Sequence, residues 1–263
     1  MLSRHSRTRV LAVCAAPVLA LFAVAVFAPL PYVLAQPGST ANVLGDDKGR
    51  PVITVTGAPT RETTGQLRMT TIVATGPSVD IDLGQIVDAW FRTDRAVMPK
   101  EAVYPTGDTD EQIEEHNAAE MRKSQNVAAR AALNYLDEDE DEVKVDLSLA
   151  DIGGPSAGLF FALGIVDKLD GDGAGGDLTG GRNIAGTGTI SPDGTVGAVG
   201  GVPLKTQAAR RDGASVFLVP RDECSMAQAE LPDGLRLVPV TTLKDAVGAL
   251  RELAKKDGKV PSC

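Results

Sequence analysis

Glu142-Val-Lys-Val-Asp-Leu-Ser-Leu149, followed by Ala-Asp-Ile-Gly-Gly-Pro-Ser156-Ala-Gly158 and then Leu159 to Leu169, is the stretch on which the fold turns. In its first part Val143, Val145, Leu147 and Leu149 alternate with Lys144, Asp146 and Ser148, the period-two pattern of a half-buried strand. In its last part apolar residues run almost without a break, as in a helix buried on all sides. Ser156 therefore stands at a strand–turn–helix junction. Two roles fit a serine there. One is a helix N-cap, a position where serine is favoured in any case. The other is a nucleophile, with Gly153, Gly154 and Gly158 leaving room for a substrate backbone and with N–H groups at the helix start facing a developing oxyanion.

Outward from this junction, strands and helices mix without regular alternation, which predicts an α+β (mixed α/β) domain over residues 51–263. Pro51–Thr56 and Leu67–Val73 are β-branched runs bounded by glycine and read as strands. Leu83–Phe91 reads as a short helix. Asp110–Leu136 reads as a long charged one with Met121, Ala128, Ala132 and Tyr135 on one face. The acidic run 137–142 lacks the glycine turn and ligand spacing of a calcium loop and reads as a solvated loop. Gly171–Gly176 matches GxGxxG in letters, but it follows a helix rather than a strand, and no GxxxxGK[ST] occurs. Ser191-Pro-Asp-Gly194 is a turn between Ile184–Ile190 and Thr195–Val199. A helix over Val202–Asp212, a strand over Ser215–Val219 and a last helix over Leu243–Ala254, capped by Thr242, complete the pattern.

The first nine residues carry Arg4, Arg7 and Arg9, and Val10 to Leu30 is a 21-residue run without a charge. At about 1.5 Å per residue a helix of that length spans roughly 31 Å, about one bilayer core. Residues 1–9 are thus expected as a cytoplasmic basic tail, 10–30 as a single transmembrane anchor and 31–50 as a linker, with the folded domain outside the cell membrane. A cleaved signal peptide, with Val33-Leu34-Ala35 as its cleavage site, is the rival reading. Cys224 and Cys263 are then the thiols outside the membrane, in a compartment that permits disulfides, and are expected to pair; two free thiols are the alternative.

The chain carries 26 Lys and Arg against 35 Asp and Glu. Beyond the N-terminal arginines the balance is 23 to 35, a net charge of −12, and aromatic residues make up 4% of the chain. Phosphate neutralisation and base stacking are both poorly served, so no nucleic-acid partner is expected. The two histidines are His5, in the basic tail, and His116, in a polar helix. A serine nucleophile must therefore find another base. Lysine serves if its proton affinity falls. Lys205 lies in the first turn of a helix, where a cation opposes the helix dipole; the bland reading is a solvated surface lysine.

Gly154-Pro-Ser-Ala-Gly158, Gly188 to Ile190 and Gly200-Gly201 through Lys205, in that order, resemble the proteolytic domain of Lon-type Ser-Lys proteases. Gly65–Thr71 and Met121–Gln125 look like earlier parts of the same domain. The resemblance implies that Ser156 is the nucleophile, Lys205 the base and Thr187 the residue that orients the lysine. Gly153 and Gly154 would then flank the oxyanion site. It implies the Lon proteolytic-domain fold (ribosomal protein S5 domain 2-like), a protein or peptide substrate, no cofactor or metal, and homo-oligomeric rings. The anchor and the absence of an ATPase motif bring the chain nearest to the ATP-independent YlbL-like branch, whose members usually carry a PDZ domain where this chain has the acidic run. A non-catalytic binding or scaffold module on the same fold is the alternative.

Overall fold

The computed structural model describes residues 4–104, 109–149, 155–255 and 257–263. In chain order the elements are α1 (Arg4–Phe27), β1 (Tyr32–Asn42), β2 (Asp46–Asp47), β3 (Arg50–Pro51), β4 (Ile53–Thr56) and β5 (Gln66–Ala74). Then come α2 (Leu83–Trp90), β6 (Ala96–Pro99), α3 (Lys100–Val103), α4 (Asp110–Leu136) and β7 (Lys144–Leu147). After a 3₁₀ turn at Pro155–Ala157 follow α5 (Gly158–Leu169), β8 (Asn183–Gly186), β9 (Thr189–Ile190), β10 (Val196–Gly197) and α6 (Val202–Arg211). The chain ends with β11 (Val216–Pro220), a 3₁₀ turn at Arg221–Glu223, α7 (Cys224–Ala229), β12 (Arg236–Val240) and α8 (Leu243–Ala254). This is the mixed α+β composition that the sequence predicts.

Two compact units divide the chain, Met1–Ala35 with Ala74–Asp110 and Gln36–Val73 with Glu111–Cys263. In the larger unit the strands lie in the order β12-β11-β8-β5-β1, with β12, β11, β8 and β5 mutually parallel. Helix α5 is the apolar heart of this unit. Leu159 to Val166 are buried around its whole circumference, as its unbroken hydrophobic run requires. Each large side chain so buried is worth about 1.5–3 kcal/mol. The alternating strand quoted above is β7, which pairs antiparallel with β4. Long helix α4 lays Met121, Ala128 and Ala132 into the core, with Tyr135 partly buried. The acidic run 137–142 is an exposed turn, and no metal-holding cluster of His, Cys, Asp or Glu occurs among the described residues. Gly171–Gly176 is a loop tied down by the Arg61 guanidinium, which donates to the carbonyls of Gly175 and Gly176.

Residues 31–50 are not a linker. Tyr32–Asn42 is a strand, and Asp46–Asp47 pairs with Arg50–Pro51 in a small hairpin. The glycine that suggested a loop is there for packing: a Cβ at Gly38 would lie 2.3 Å from Thr71 Oγ1 and 2.8 Å from the Thr71 backbone. The folded part therefore begins well before residue 51. Strand β12 also escapes a sequence reading, because Pro239 argues against a strand; as the terminal strand of the order it tolerates a residue without an N–H.

In the smaller unit β6 pairs antiparallel with the start of β1, from Tyr32↔Pro99 to Ala35↔Ala96. Helix α2 opens with a capping box between Asp82 and Gln85. Helix α1 ends at Phe27, so Ala28, Pro29 and Leu30 of the uncharged run lie outside it, and Leu30 instead bridges to Ile81. Among the described residues no helix is long and apolar enough to cross a membrane.

Candidate active site

Ser156 occupies the middle of the 3₁₀ turn that feeds α5. The N-cap of α5 is Ala157, which makes no side-chain capping bond, so Ser156 does not serve as the cap. Its own carbonyl is held twice, by the Gly188 N–H at 3.0 Å and by the Thr187 hydroxyl at 3.2 Å. The Leu159 N–H in turn donates to the Gly188 carbonyl at 3.1 Å. The end of β8 thus clamps the serine turn from both sides. A third hold comes from α4, where the nearly buried Ser124 hydroxyl donates to the Pro155 carbonyl at 3.1 Å.

Lys205 is the fourth residue of α6 and is 3% exposed. The helix starts from Gly201, whose left-handed conformation (φ +69°) suits glycine and whose absent side chain leaves room for Ile72. The solvated-lysine reading therefore fails. Lys205 Nζ donates to Thr187 Oγ1 at 3.0 Å. Thr187 is fully buried, and its single hydroxyl proton is committed to the Ser156 carbonyl, so its oxygen is the acceptor of the lysine bond.

Burial lowers the lysine from its ordinary 10.5 to about 8, with Glu223 pulling weakly the other way. Position in the first turn of a helix predicts a dipole effect; desolvation is the cause that the structure supplies. At pH 7 the neutral fraction rises from roughly one in 3,000 to roughly one in ten. A neutral amine that gives an N–H to Thr187 keeps its lone pair for another proton donor.

The structure brings Ser156, Thr187 and Lys205 into one hydrogen-bonded neighbourhood. Gly153 and Gly154 lie outside the described residues. Cys224 and Cys263 are joined in a disulfide, with α-carbons 5.3 Å apart. Two contributors escape the sequence reading: Ser124, inside the Met121–Gln125 segment, and Glu223, whose carboxylate accepts from the Val199 N–H at 2.9 Å.

Residues 94–251, more than half of the chain, match the model of the Lon protease (S16) C-terminal proteolytic domain. The chain is 34% identical over 114 residues to a Lon protease of Azospirillum brasilense, a match covering 41% of this chain and 13% of that protein. It is 29% identical over 123 residues to an archaeal Lon protease of Methanocaldococcus jannaschii, covering 47% of this chain and 18% of that one. A Lon protease of Clostridioides difficile is 40% identical over 83 residues, 32% of this chain and 10% of the relative. The chain thus spans less than a fifth of the length of these relatives.

Proposed function

The chain belongs to the Lon protease (S16) C-terminal proteolytic domain family, a family of serine-type peptidases, and from that premise we propose that it hydrolyses peptide bonds through a Ser156–Lys205 dyad. The observation that carries the proposal is the buried Lys205 amine bonded to Thr187, whose hydroxyl also holds the Ser156 main chain. Neutral Lys205 takes the proton of Ser156 Oγ as that oxygen attacks the peptide carbonyl carbon. The negative charge moves to the carbonyl oxygen, where N–H groups of Gly154 and Ser156 are the proposed donors. Collapse breaks the C–N bond, and the Lys205 ammonium protonates the departing amine. Water then gives a proton to the again neutral lysine as it attacks the acyl carbon, the bond from that carbon to Ser156 Oγ breaks, and the ammonium returns the proton to Oγ. Thr187 orients the amine throughout.

Lys205 is the proton carrier in each half-reaction, and no residue in this sequence of steps requires a nucleotide. The expected result is that the purified chain digests an unfolded protein such as casein without added ATP, while Ser156→Ala does not. Binding of casein without cleavage by the parent would favour a scaffold role and defeat the proposal.

The site is placed, in this reading, on the outer side of a cell membrane. Support comes from the uncharged run Val10–Leu30 behind Arg4, Arg7 and Arg9, and from the bare apolar surface of α1, where Val10, Leu11, Val13, Val18, Leu19, Leu21, Phe22 and Val24 are all exposed. Protease added to intact, wall-stripped cells should digest the domain; digestion only after lysis would contradict this placement.

A further inference from the structure

Glu223 is a buried acid in the wrong place for stability. It is 8% exposed, one carboxylate oxygen accepts from the Val199 N–H at 2.9 Å, and the other has no hydrogen-bond partner among the described residues. Burial raises its proton affinity, so holding it as a carboxylate is unfavourable. A glutamine would accept the same N–H without the charge. The charge must therefore be explained by something other than that hydrogen bond.

Its surroundings point to the lysine. Val199 is followed by Gly200-Gly201, the turn from which α6 starts, and Lys205 N–H donates to the Gly201 carbonyl. Helices α6 and α7 pack together, with Glu223 at the junction of the 3₁₀ turn and α7. The next residue, Cys224, is fixed to Cys263, and the Arg236 guanidinium donates to the Val260 carbonyl of the same tail. Glu223 is thus anchored from behind and bonded in front to the turn that launches the lysine. Among the described residues the charged group acting on Lys205 is Glu223, and those acting on Glu223 are Lys205 and Asp222.

We propose that Glu223 is a positioning residue for Lys205: its carboxylate holds the turn that starts α6, and its negative charge sets the pH range in which the lysine works as a base. The inference rests on the reading of Lys205 as the base. Its logic is a compromise between two demands. Burial alone would strip the amine of its proton; a fixed negative charge at the same helix start returns part of that proton affinity, which the ammonium needs when it must protonate the leaving amine.

The test is the pH profile of Ser156 labelling by a fluorophosphonate, compared between parent and Glu223→Gln, with thermal melting to check that both are folded. Glutamine keeps the bond to Val199 and removes the charge. The midpoint of the Gln variant should move toward acid by roughly 0.5–1 pH unit, so labelling at pH 7 becomes faster by roughly three- to fivefold. Glu223→Asp and Glu223→Asn, equal in length and different in charge, repeat the comparison should the Gln variant not fold; the Asn midpoint should lie on the acid side of the Asp midpoint. Equal midpoints within either folded pair overturn the proposal. If the parent itself shows no label on Ser156, the peptidase reading fails instead, so the two failures are distinguishable.

Discussion

Lys205→Arg is expected to lower peptidase activity by about 10²–10⁴-fold, to the level of Ser156→Ala, the range over which general-base assistance typically contributes. The expected loss is chemical rather than steric. Arginine keeps the positive charge and approximate reach of lysine and still offers an N–H to Thr187, but it does not give up its proton in a protein. Lysine buried at this position does, because desolvation brings it down to about 8. Guanidinium is larger than ammonium and the site is 3% exposed, so Lys205→Met is the companion variant, similar in length and uncharged. It should be folded by circular dichroism and equally inactive. Substantial activity in either variant, within tenfold of the parent, would remove Lys205 from the mechanism.

Loss of the Cys224–Cys263 bridge should cost about 4 kcal/mol of stability, within a usual range of about 2–5. The bond joins cysteines 39 positions apart in sequence, closing a loop that contains β12 and α8, and a loop of that length loses much chain entropy in the unfolded state when cross-linked. Both cysteines, like Val199, also pack against the buried cluster that includes Phe217, Val219 and Leu237. Cys263→Ser should therefore shift the urea midpoint markedly, and reductant should shift the parent to match. Mass analysis after alkylation without reductant should find neither of these thiols modified. Two alkylated thiols, or a loss below about 1 kcal/mol, would contradict the bridge and its role.

Much of the fold is legible in the sequence where local pattern and tertiary need agree. The alternation of Val143 to Leu149, the unbroken apolar run of α5 and the capped amphipathic stripe of α8 each state their environment directly. Strand β1 was hidden because Gly38, Ser39 and Asn42 suggest a loop, whereas Gly38 answers to the backbone of β5 across the sheet. A contact between residues far apart in sequence leaves no periodic trace. The site divides in the same way. Ser156 is visible at a strand–turn–helix junction, while Lys205 and Thr187 acquire roles from the order of family motifs. The burial that lowers the lysine comes from tertiary packing and could not be read from its position in a helix. Glu223 was least legible of all: Arg221-Asp-Glu223 reads as an ordinary charged turn until Val199 is brought against it.

The central claim is that Ser156 is activated by a lysine that loses its proton near neutral pH. Its most direct test is the rate of fluorophosphonate labelling of the parent as a function of pH, with the modified residue identified by peptide mapping. The account predicts label on Ser156, at a rate that rises with pH through a single midpoint near 8, where buried Lys205 passes from ammonium to free amine. Label on another residue, or a Ser156 rate with no midpoint below the roughly 10.4 of free lysine, would contradict it.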